Sequence, residues 1–499
     1  MIDICSDILE LPSEITADNV QEYVVDIVWP AFQMEREKLR LIAMWSRGAT
    51  QELLLPPRNS PEKLALMEYS KTPWLGLIVD SFSQCLYVDG YRAAGQKNNV
   101  PVAWQAWRAN RMKSRQTGIH RATIMYGKAY ARVLPGTGLG GVKQASIKGY
   151  SPRRLFPMYE DPVNDEYPMY ALELMQDGKT VQFYTDTNIF QFAIPFRGQP
   201  TGTDLNPVIT KTHQVGVCPF VRYLNVDDLD GAVRGEVEKL VMVACRLDKT
   251  MYDRLLVQHY NSVKIKWATG VDELGEDSDP ATGEAIKLKI SNEDVLMHGN
   301  PDVKFGTLPE TALDGFITAY DSDLEALAAV AQLPSNGLTG KLANLSADAL
   351  ASARANTTQK LYERQTMLGE SHAQLMRLSA FVSGDADGAQ DFDAEITWQD
   401  MEVRSLAQAV DAWGKAAQML GVPKWATWRK LPNVSEDEAQ MWYQNLLDND
   451  PESEFLRYYG LSGGQQEPPG DSDPVEGPPA AGTPAAPVSV PAGADQTAA

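Results

Sequence analysis

The sequence has 499 residues, with 45 lysine and arginine residues against 66 aspartate and glutamate residues, which gives a formal net charge of −21 at pH 7. Hydrophobic residues make up 43% of the chain, enough for two or three cores in a globular protein. The acidic excess excludes a protein that coats nucleic acid, because such binding needs clustered lysine and arginine.

No membrane segment, secretion signal or metal site built by the protein is predicted. The apolar run Trp74–Val79 is far shorter than the ~20 apolar residues of a membrane helix, and the first residues lack a basic region. The cysteines and histidines are widely spaced without a metal-ligand or disulfide pattern, so we interpret the thiols as reduced. These residues are Cys5, Cys85, Cys218 and Cys245, and His120, His213, His259, His298 and His372.

The first 130 residues are predicted to be mostly helical, because apolar and charged positions recur at helical spacing. Residues 128–225 contain short alternating runs between turn residues, which predicts a β-rich region with hairpins. Long helices then predominate. The predicted order is helix 234–260, strands and turns 263–310 with an acidic loop at 272–279, helix 311–332, loop 334–345, helix 346–381, and helices 400–420 and 435–459.

Two glycine-rich segments resemble phosphate-binding loops, but neither has all the features of such a loop. Gly136–Gly141 matches G-x-G-x-x-G but is followed by a returning strand rather than a helix, which favours a hairpin tip. Gly337–Lys341 lacks the full phosphate-loop spacing, and Leu342 stands where the Mg²⁺-binding hydroxyl belongs. No catalytic residue and no cofactor is therefore predicted.

The predicted helix 311–332 carries a polar stripe beside its apolar face. Asp314, Thr318, Asp321 and Glu325 follow each other at three- and four-residue steps, which places them on one side of the helix. Lys341 is the only basic residue in 305–353, so the usual helix-surface pairing of opposite charges is missing. The stripe is either a solvated helix face or a surface that repels a polyanion at close range.

The segment after this helix is predicted to be a flexible loop. Pro334 ends the helix, and Gly337 and Gly340 give the backbone freedom. Lys341 supplies one positive charge, with the amides of Asn336 and Asn344 beside it. The loop is either a plain connection or a moving contact element.

Five blocks of the chain, taken in order, carry a family resemblance together with the helix–insert–helix–loop–helix arrangement of 234–381. The blocks are Trp107–Met112, Ile124–Val133, Ser151–Asp161, Val217–Asn225 and Gly231–Glu236. They resemble the portal proteins of tailed double-stranded DNA bacteriophages, in particular long-tailed phages of actinobacteria. The resemblance spans about residues 1–460.

The resemblance implies an α+β, mainly helical portal fold that assembles as a ring of twelve around a DNA channel. It also implies a division of the chain into named parts. These are a wing (1–234), a stem helix (235–262), a clip (263–310), a second stem helix (311–333), a tunnel loop (334–345), a long wing helix (346–389) and a crown (390–462). The last segment, 463–499, has 8 Pro, 6 Gly and no lysine or arginine, so it is predicted to be disordered.

The implied function is passage of double-stranded DNA into and out of a capsid at one vertex, with no catalysis by this chain. The implied partners are further copies of the chain, DNA in transit, the large terminase subunit, the major capsid protein and scaffolding protein, and the head–tail connector. The implied location of the protein is the portal vertex of the virion capsid, after assembly in the host cytoplasm. A soluble helical enzyme with an unrecognised site, or another ring such as a head–tail adaptor, remains an alternative at this point.

Overall fold

The computed structural model describes residues 11–448 apart from single residues and short segments. The omitted parts are 13, 50–59, 93–100, 195–207, 263–265, 270–301, 303, 308, 341–346, 400–405, 429–430, 432–433 and 435. The acidic loop 272–279, Cys5, His298 and the tail 463–499 lie outside the described residues. Backbone contacts divide the chain into two units, Met1–Ala439 and Gln440–Ala499.

The N-terminal part is helical, as predicted, with one added strand. The elements are α1 (Val20–Tyr23), a π-helical turn (Val24–Val28), α2 (Trp29–Ser46), α3 (Pro61–Ser70), α4 (Trp74–Gln84), β1 (Val88–Arg92), α5 (Val102–Ala109) and α6 (Met112–Tyr126).

Two antiparallel sheets follow, which confirms the predicted β-rich region. Its strands are β2 (Lys128–Thr137), β3 (Lys143–Tyr150), β4 (Leu155–Met158), β5 (Tyr170–Leu174), β6 (Thr180–Tyr184), β7 (Asn188–Ala193), β8 (Ile209–Thr212) and β9 (Phe220–Leu224). One sheet has the order β3-β2-β9, and the other runs β4 to β8 in chain order. Gly136–Gly141 forms the turn of the β2–β3 hairpin, with Gly138 N–H donating to Val142 O at 2.8 Å, so the hairpin interpretation is confirmed.

The next block has the predicted helix–insert–helix–helix order. It consists of α7 (Glu236–Ser262), the strand pair β10 (Lys266–Thr269) and β11 (Lys304–Thr307), α8 (Asp314–Ala331), α9 (Ser335–Thr339) and α10 (Ala347–Ser383). The short helix α9 was not predicted, because the sequence favoured an irregular loop at 334–345. Burial of Leu338 holds this turn in place, and Gly340, with φ +65°, ends it in the left-handed region.

The last described elements are α11 (Ala386–Ala389), β12 (Glu395–Trp398), α12 (Leu406–Met419), α13 (Lys424–Trp428) and α14 (Glu436–Asp448). Strand β12 pairs antiparallel with β1, about 300 residues earlier in the chain. This pairing has no local sequence signal. It ties the start of the segment predicted as the crown to the N-terminal helices.

One large core joins most of the first unit. It contains buried side chains from the N-terminal helices, the β2–β3–β9 sheet and the long helices, among them Trp107, Leu247, Leu327 and Leu375. Helices of the predicted wing and stem therefore share one hydrophobic interior. Among the described helices, none combines the length and the apolar character needed to cross a bilayer. In agreement with the predicted α+β fold, 54% of the residues that the structure describes are helical.

Candidate functional site: the α7–α8 helix pair

Helices α7 and α8 form an antiparallel pair whose two ends are fixed by different contacts. At the end that leads to β10 and β11, the side chain of Asn261 forms two hydrogen bonds with the backbone of Thr311. Its Nδ2 donates to Thr311 O at 2.9 Å, and its Oδ1 accepts from Thr311 N–H at 3.3 Å. These reciprocal hydrogen bonds align the end of α7 with the start of α8.

The opposite end of the pair is held against α10 by a buried ionic cluster. Glu236, in the first turn of α7, accepts from Lys360 Nζ at 2.6 Å and from Arg364 at 3.1 Å. Lys360 also donates to Ala331 O at 3.0 Å, at the last residue of α8. Glu236, Lys360 and Arg364 are at most 5% exposed. A single cluster thus joins the start of α7, the end of α8 and the middle of α10.

Burial and charge pairing oppose each other in this cluster. Burial alone raises the pKa of Glu236, but the Lys360 ammonium and the hydrogen bonds from Lys239 and Lys360 outweigh it and lower the pKa to about 2. Burial also lowers the pKa of Lys360 to about 8, although Glu236 opposes this shift. The carboxylate is therefore ionised at neutral pH and is the counter-charge on which the buried lysine depends.

The predicted apolar face of α8 packs against other helices of the chain. Leu324, Leu327 and Ala331 are buried, and Tyr320 accepts a hydrogen bond from Trp74 Nε1 at 3.0 Å. Ile317, nearer the start of α8, is 47% exposed. Within the part of the chain that the structure describes, the buried residues of α8 all lie in its C-terminal half.

Asp323 is neutralised by the neighbouring helix rather than by its own. Its carboxylate lies 2.7 Å from Nε of Arg246 on α7. The sequence showed no basic residue within α8, and the structure supplies one from α7. Asp323 is therefore separate from the acidic stripe and fastens α8 to α7.

The predicted acidic stripe is on the surface of α8, beside its packed face. Asp314, Thr318 and Glu325 are exposed, whereas Asp321 is half-buried and takes part in an interaction within the chain. The Thr318 hydroxyl donates to the carbonyl of Asp314 at 2.9 Å. Successive residues of an α-helix are rotated by about 100°. Viewed along the helix axis, the centre of the stripe is therefore rotated by about 110° from the centre of the packed face. Its position at the edge of that face explains the partial burial of Asp321.

A third face of α8 carries only small side chains. Its residues recur at three- and four-residue steps and are exposed except for one half-buried alanine. The acidic stripe lies between this small face and the packed face. The small face consists of Gly315, Ala319, Ser322, Ala326 and Ala329.

The predicted tunnel-loop residues are only partly described. Asn336 is half-buried and Gly337 is exposed, and both belong to α9. Gly340 forms the C-cap of α9, as noted above. Lys341 and Asn344 lie outside the described residues, so the proposed phosphate contact remains a prediction.

Sequence reasoning treated the histidines as scattered, but two of them meet in the core. Nε2 of His120 lies 2.8 Å from Nε2 of His372, although 252 residues separate them in the chain. His120 Nδ1 contacts Leu86 O at 3.0 Å, and the Tyr223 hydroxyl contacts His372 Nδ1 at 3.0 Å. One proton arrangement satisfies the whole row with both rings neutral, with Tyr223 donating to His372, His372 to His120, and His120 to Leu86.

A buried carboxylate on α7 gives a testable stability effect. Asp248 is 7% exposed and accepts from Thr72 N–H at 3.4 Å, and burial raises its pKa to about 6 despite nearby Lys71. Because the pKa is above its unfolded value, stability falls as pH rises from about 4 to 6 and then stays constant. Asp248→Asn keeps the acceptor and removes the charge, so the melting temperature at pH 7.5 should rise by about 2 °C.

Thermal denaturation at two pH values checks this expectation. The gain should disappear at pH 4, where the wild-type carboxyl is protonated in both states. Asp253→Asn, on the same helix but in an exposed pair with Lys249, is the matched control and should show no such gain. A lower melting temperature for Asp248→Asn at pH 7.5 would contradict the assignment.

Comparison with known proteins identifies the family. The model of the family "Phage portal protein, SPP1 Gp6-like" matches residues 54–450, which is most of the chain. The chain belongs to this phage portal family. The predicted family and its function as a portal are thereby confirmed, and the α+β portal fold with them.

Individual relatives are distant. The "Portal protein" of Mycobacterium phage L5 is 22% identical over 369 residues, which cover 71% of this portal chain and 73% of that protein. A chain in the virion of a native gene transfer agent particle is 11% identical with a TM-score of 0.43, covering 78% of this chain and 96% of that chain. A chain in the neck of a native gene transfer agent particle, computed with C12 symmetry, is 10% identical with a TM-score of 0.41 over 78% and 97%.

Proposed function

We propose that twelve copies of this portal chain form a ring and that the acidic stripe of α8 lines the channel through which double-stranded DNA is packaged and ejected. The observation that supports the proposal is the position of the stripe between two other faces of α8. One face is packed against the same chain, and the other bears only small side chains, which are mostly exposed.

The small face suits contact with a neighbouring subunit. Side chains no larger than alanine or serine let a second helix approach closely, because little volume separates the two backbones. If a neighbour packs on that face of each α8, then both flanks of the stripe are covered by protein. The stripe of Asp314, Thr318, Asp321 and Glu325 is then left facing the open centre of the ring.

The electrostatics of such a wall favour movement of DNA rather than binding. Repetition of the exposed carboxylates around a ring produces bands of negative potential, which repel phosphates and shorten contact with the wall. Lys341, flanked by Asn336 and Asn344, supplies a weak contact to the phosphates that is blind to base sequence. DNA would pass a repelling wall and be touched transiently by the loop.

The remaining parts of the proposal follow from the family resemblance. The segment 263–310 is proposed as the clip that docks the large terminase subunit during packaging and the head–tail connector afterwards. Segment 1–234 with 346–389 is proposed as the wing, in contact with the major capsid protein and scaffolding protein, and 390–462 as the crown. Assembly in the host cytoplasm and the absence of catalysis by this chain belong to the same proposal.

Reversing the charge of the stripe tests whether the stripe lines the DNA channel. Asp314→Lys with Glu325→Lys changes two exposed side chains and leaves Asp321, which holds an internal contact, unchanged. Lysines that face phosphates should retain DNA, so particles assembled with this variant should contain about tenfold less nuclease-protected DNA, measured by quantitative amplification. The small face should still allow assembly, because none of its residues is changed.

Asp18→Lys with Glu62→Lys is the matched control. Both side chains are exposed on the N-terminal helical part, and the change in net charge is the same. This variant should package DNA at the wild-type level. Normal packaging by the stripe variant, or an equal loss in the control, would overturn the assignment of the stripe to the channel wall.

A further inference from the structure

The charge of this acidic chain is unevenly distributed along the sequence. Residues 90–159 contain 13 lysines and arginines and no aspartate or glutamate. The rest of the chain therefore carries 32 basic and 66 acidic residues, a net charge of −34. A block of +13 in such a chain is a concentrated positive region, and its location in the fold decides what it contacts.

Part of this positive charge is used inside the molecule. Arg132 is buried and lies 2.8 Å from Glu173. Lys128 lies 2.6 Å from Glu35, and Arg121 lies 2.8 Å from Asp80. Arg92 pairs with Glu395. These four residues hold elements together and are not available for a partner.

Four other basic side chains of this block are exposed and form no ion pair within the described part of the chain, and one of them is Lys148, further along β3. The other three are Arg111 at the turn between α5 and α6, Arg115 one helical turn further along α6, and Lys143 at the start of β3. Arg111 has φ +56°, in the left-handed region, which projects the turn outward. We refer to these three residues as the basic patch.

The side chain of Asn110 brings the members of the basic patch together. It donates to Ala145 O at 2.7 Å and accepts from Ile147 N–H at 3.0 Å, so the α5–α6 turn is fixed against β3. Lys143 lies two residues, about 7 Å, along β3 from Ala145. Arg111 is the N-cap of α6 and Arg115 lies in its first turn, so the two arginines are close to the same end of the helix.

The surface around the basic patch permits close approach by a rigid partner. Gly118 is exposed on the same side of α6, one turn beyond Arg115, and a Cβ placed there would meet nothing within 4 Å. Gly140 and Gly141, in the β2–β3 turn beside Lys143, are equally open. Positive side chains are therefore set among backbone that lacks side-chain bulk.

We propose that the basic patch of Arg111, Arg115 and Lys143 binds the backbone phosphates of double-stranded DNA outside the channel. Guanidinium groups bind phosphate through two parallel hydrogen bonds, and a patch with two arginines and a lysine provides up to three contacts per subunit. The contact reads no base sequence, since phosphates carry none. The chain thus combines an acidic stripe that repels DNA with a separate surface that holds it.

The composition of the basic patch favours DNA over an acidic protein partner. Protein–protein interfaces have cores rich in aromatic and apolar residues and poor in charge. Interfaces with DNA are polar and strongly positive. Around the basic patch, Val142 is 65% exposed, and the other exposed neighbours along the chain are glycine, serine, alanine and a further arginine, Arg108. Positive side chains thus outnumber the large exposed apolar side chains at this surface, as in interfaces with DNA.

Binding to this surface can be measured separately with a DNA molecule that cannot enter the channel. Full-length assembled protein is titrated with a relaxed, covalently closed circular duplex between 50 and 200 mM salt. Each engaged subunit, with three phosphate contacts, adds about −2.7 to the slope of log K against log salt, so the affinity should fall at least roughly 40-fold over this range. Arg111→Glu with Arg115→Glu should reduce the slope to about one third of the wild-type slope and weaken binding at least tenfold at 100 mM salt.

Two further variants make the result decisive. Arg111→Lys with Arg115→Lys keeps the charge and should keep the salt slope. Arg47→Glu with Lys211→Glu reverses two exposed charges elsewhere and should bind as wild type does. Equal binding by wild type and the Arg111/Arg115 reversal, or an equal loss in the Arg47/Lys211 control, would overturn the proposal. So would loss of subunit assembly in the reversal variant, since the basic patch would then be a subunit contact.

Discussion

Replacing Glu236 with glutamine is expected to lower the free energy of unfolding by about 3–5 kcal/mol. The amide leaves the ammonium of Lys360 and the guanidinium of Arg364 buried without their shared counter-charge. An uncompensated charge in a low-dielectric interior is among the most destabilising single changes in a protein. Urea unfolding followed by tryptophan fluorescence measures the change.

A second substitution separates charge pairing from other effects of the change. Glu236→Gln combined with Lys360→Met removes both charges, and replacement of a buried pair by an apolar group is often nearly neutral. Arg364 loses Glu236 in both variants but keeps Glu363 at 3.2 Å, so the double variant should regain the part of the lost stability that belongs to Lys360. Glu238→Gln is the control on the same helix, because its pair with Lys38 at 3.3 Å is partly exposed and should contribute below ~1 kcal/mol. Equal effects of Glu236→Gln and Glu238→Gln would show that the cluster is unimportant.

Acid is expected to destabilise the core through the pair of buried histidines. Burial lowers the pKa of His120 to about 4 and that of His372 well below its usual range. Because the folded-state pKa values lie below the unfolded value of 6.5, their contribution is complete above pH 6.5 and is lost as pH falls towards 4. For His120 alone this corresponds to about 3 kcal/mol, measured as the change in unfolding free energy between pH 7 and pH 4.

Glutamine at both positions should flatten this pH dependence. The amide retains a donor and an acceptor but does not titrate, so the slope of stability against pH between 6.5 and 4 should fall even if overall stability is lower. His259→Gln is the control, because this ring lies near the end of α7 against Tyr260 and outside the core. A double variant that keeps the wild-type slope would show that other groups cause the acid sensitivity.

Local patterns in the sequence were sufficient for most of the fold. The helices predicted at 234–260 and 346–381 agree with α7 and α10 to within a few residues. The glycines of 136–141 predicted a hairpin, because a returning strand follows them in the sequence. The acidic stripe was also visible, because its residues share one helix and its spacing is local.

The contacts that hold the site together are not local, and sequence reasoning missed them. Glu236 and Lys360 are 124 residues apart, and His120 and His372 are 252 apart. Each residue taken alone looks like an ordinary surface charge or an isolated histidine. Only the packing of α10 against the N-terminal helices brings the partners together, and this packing depends on the whole core rather than on any segment.

The contrast between the two ends of the α7–α8 pair has a mechanical consequence. The buried cluster at Glu236 fixes one end, and buried side chains as far as Tyr252 hold α7 in the core. The residues of α7 after Tyr252 extend about 15 Å beyond this packing. A rotation of this segment by about 10° at Tyr252 would displace the Asn261 and Thr311 contact by about 2.6 Å. Small changes in the core packing near Tyr252 are thus enlarged where α7 leads to β10 and β11.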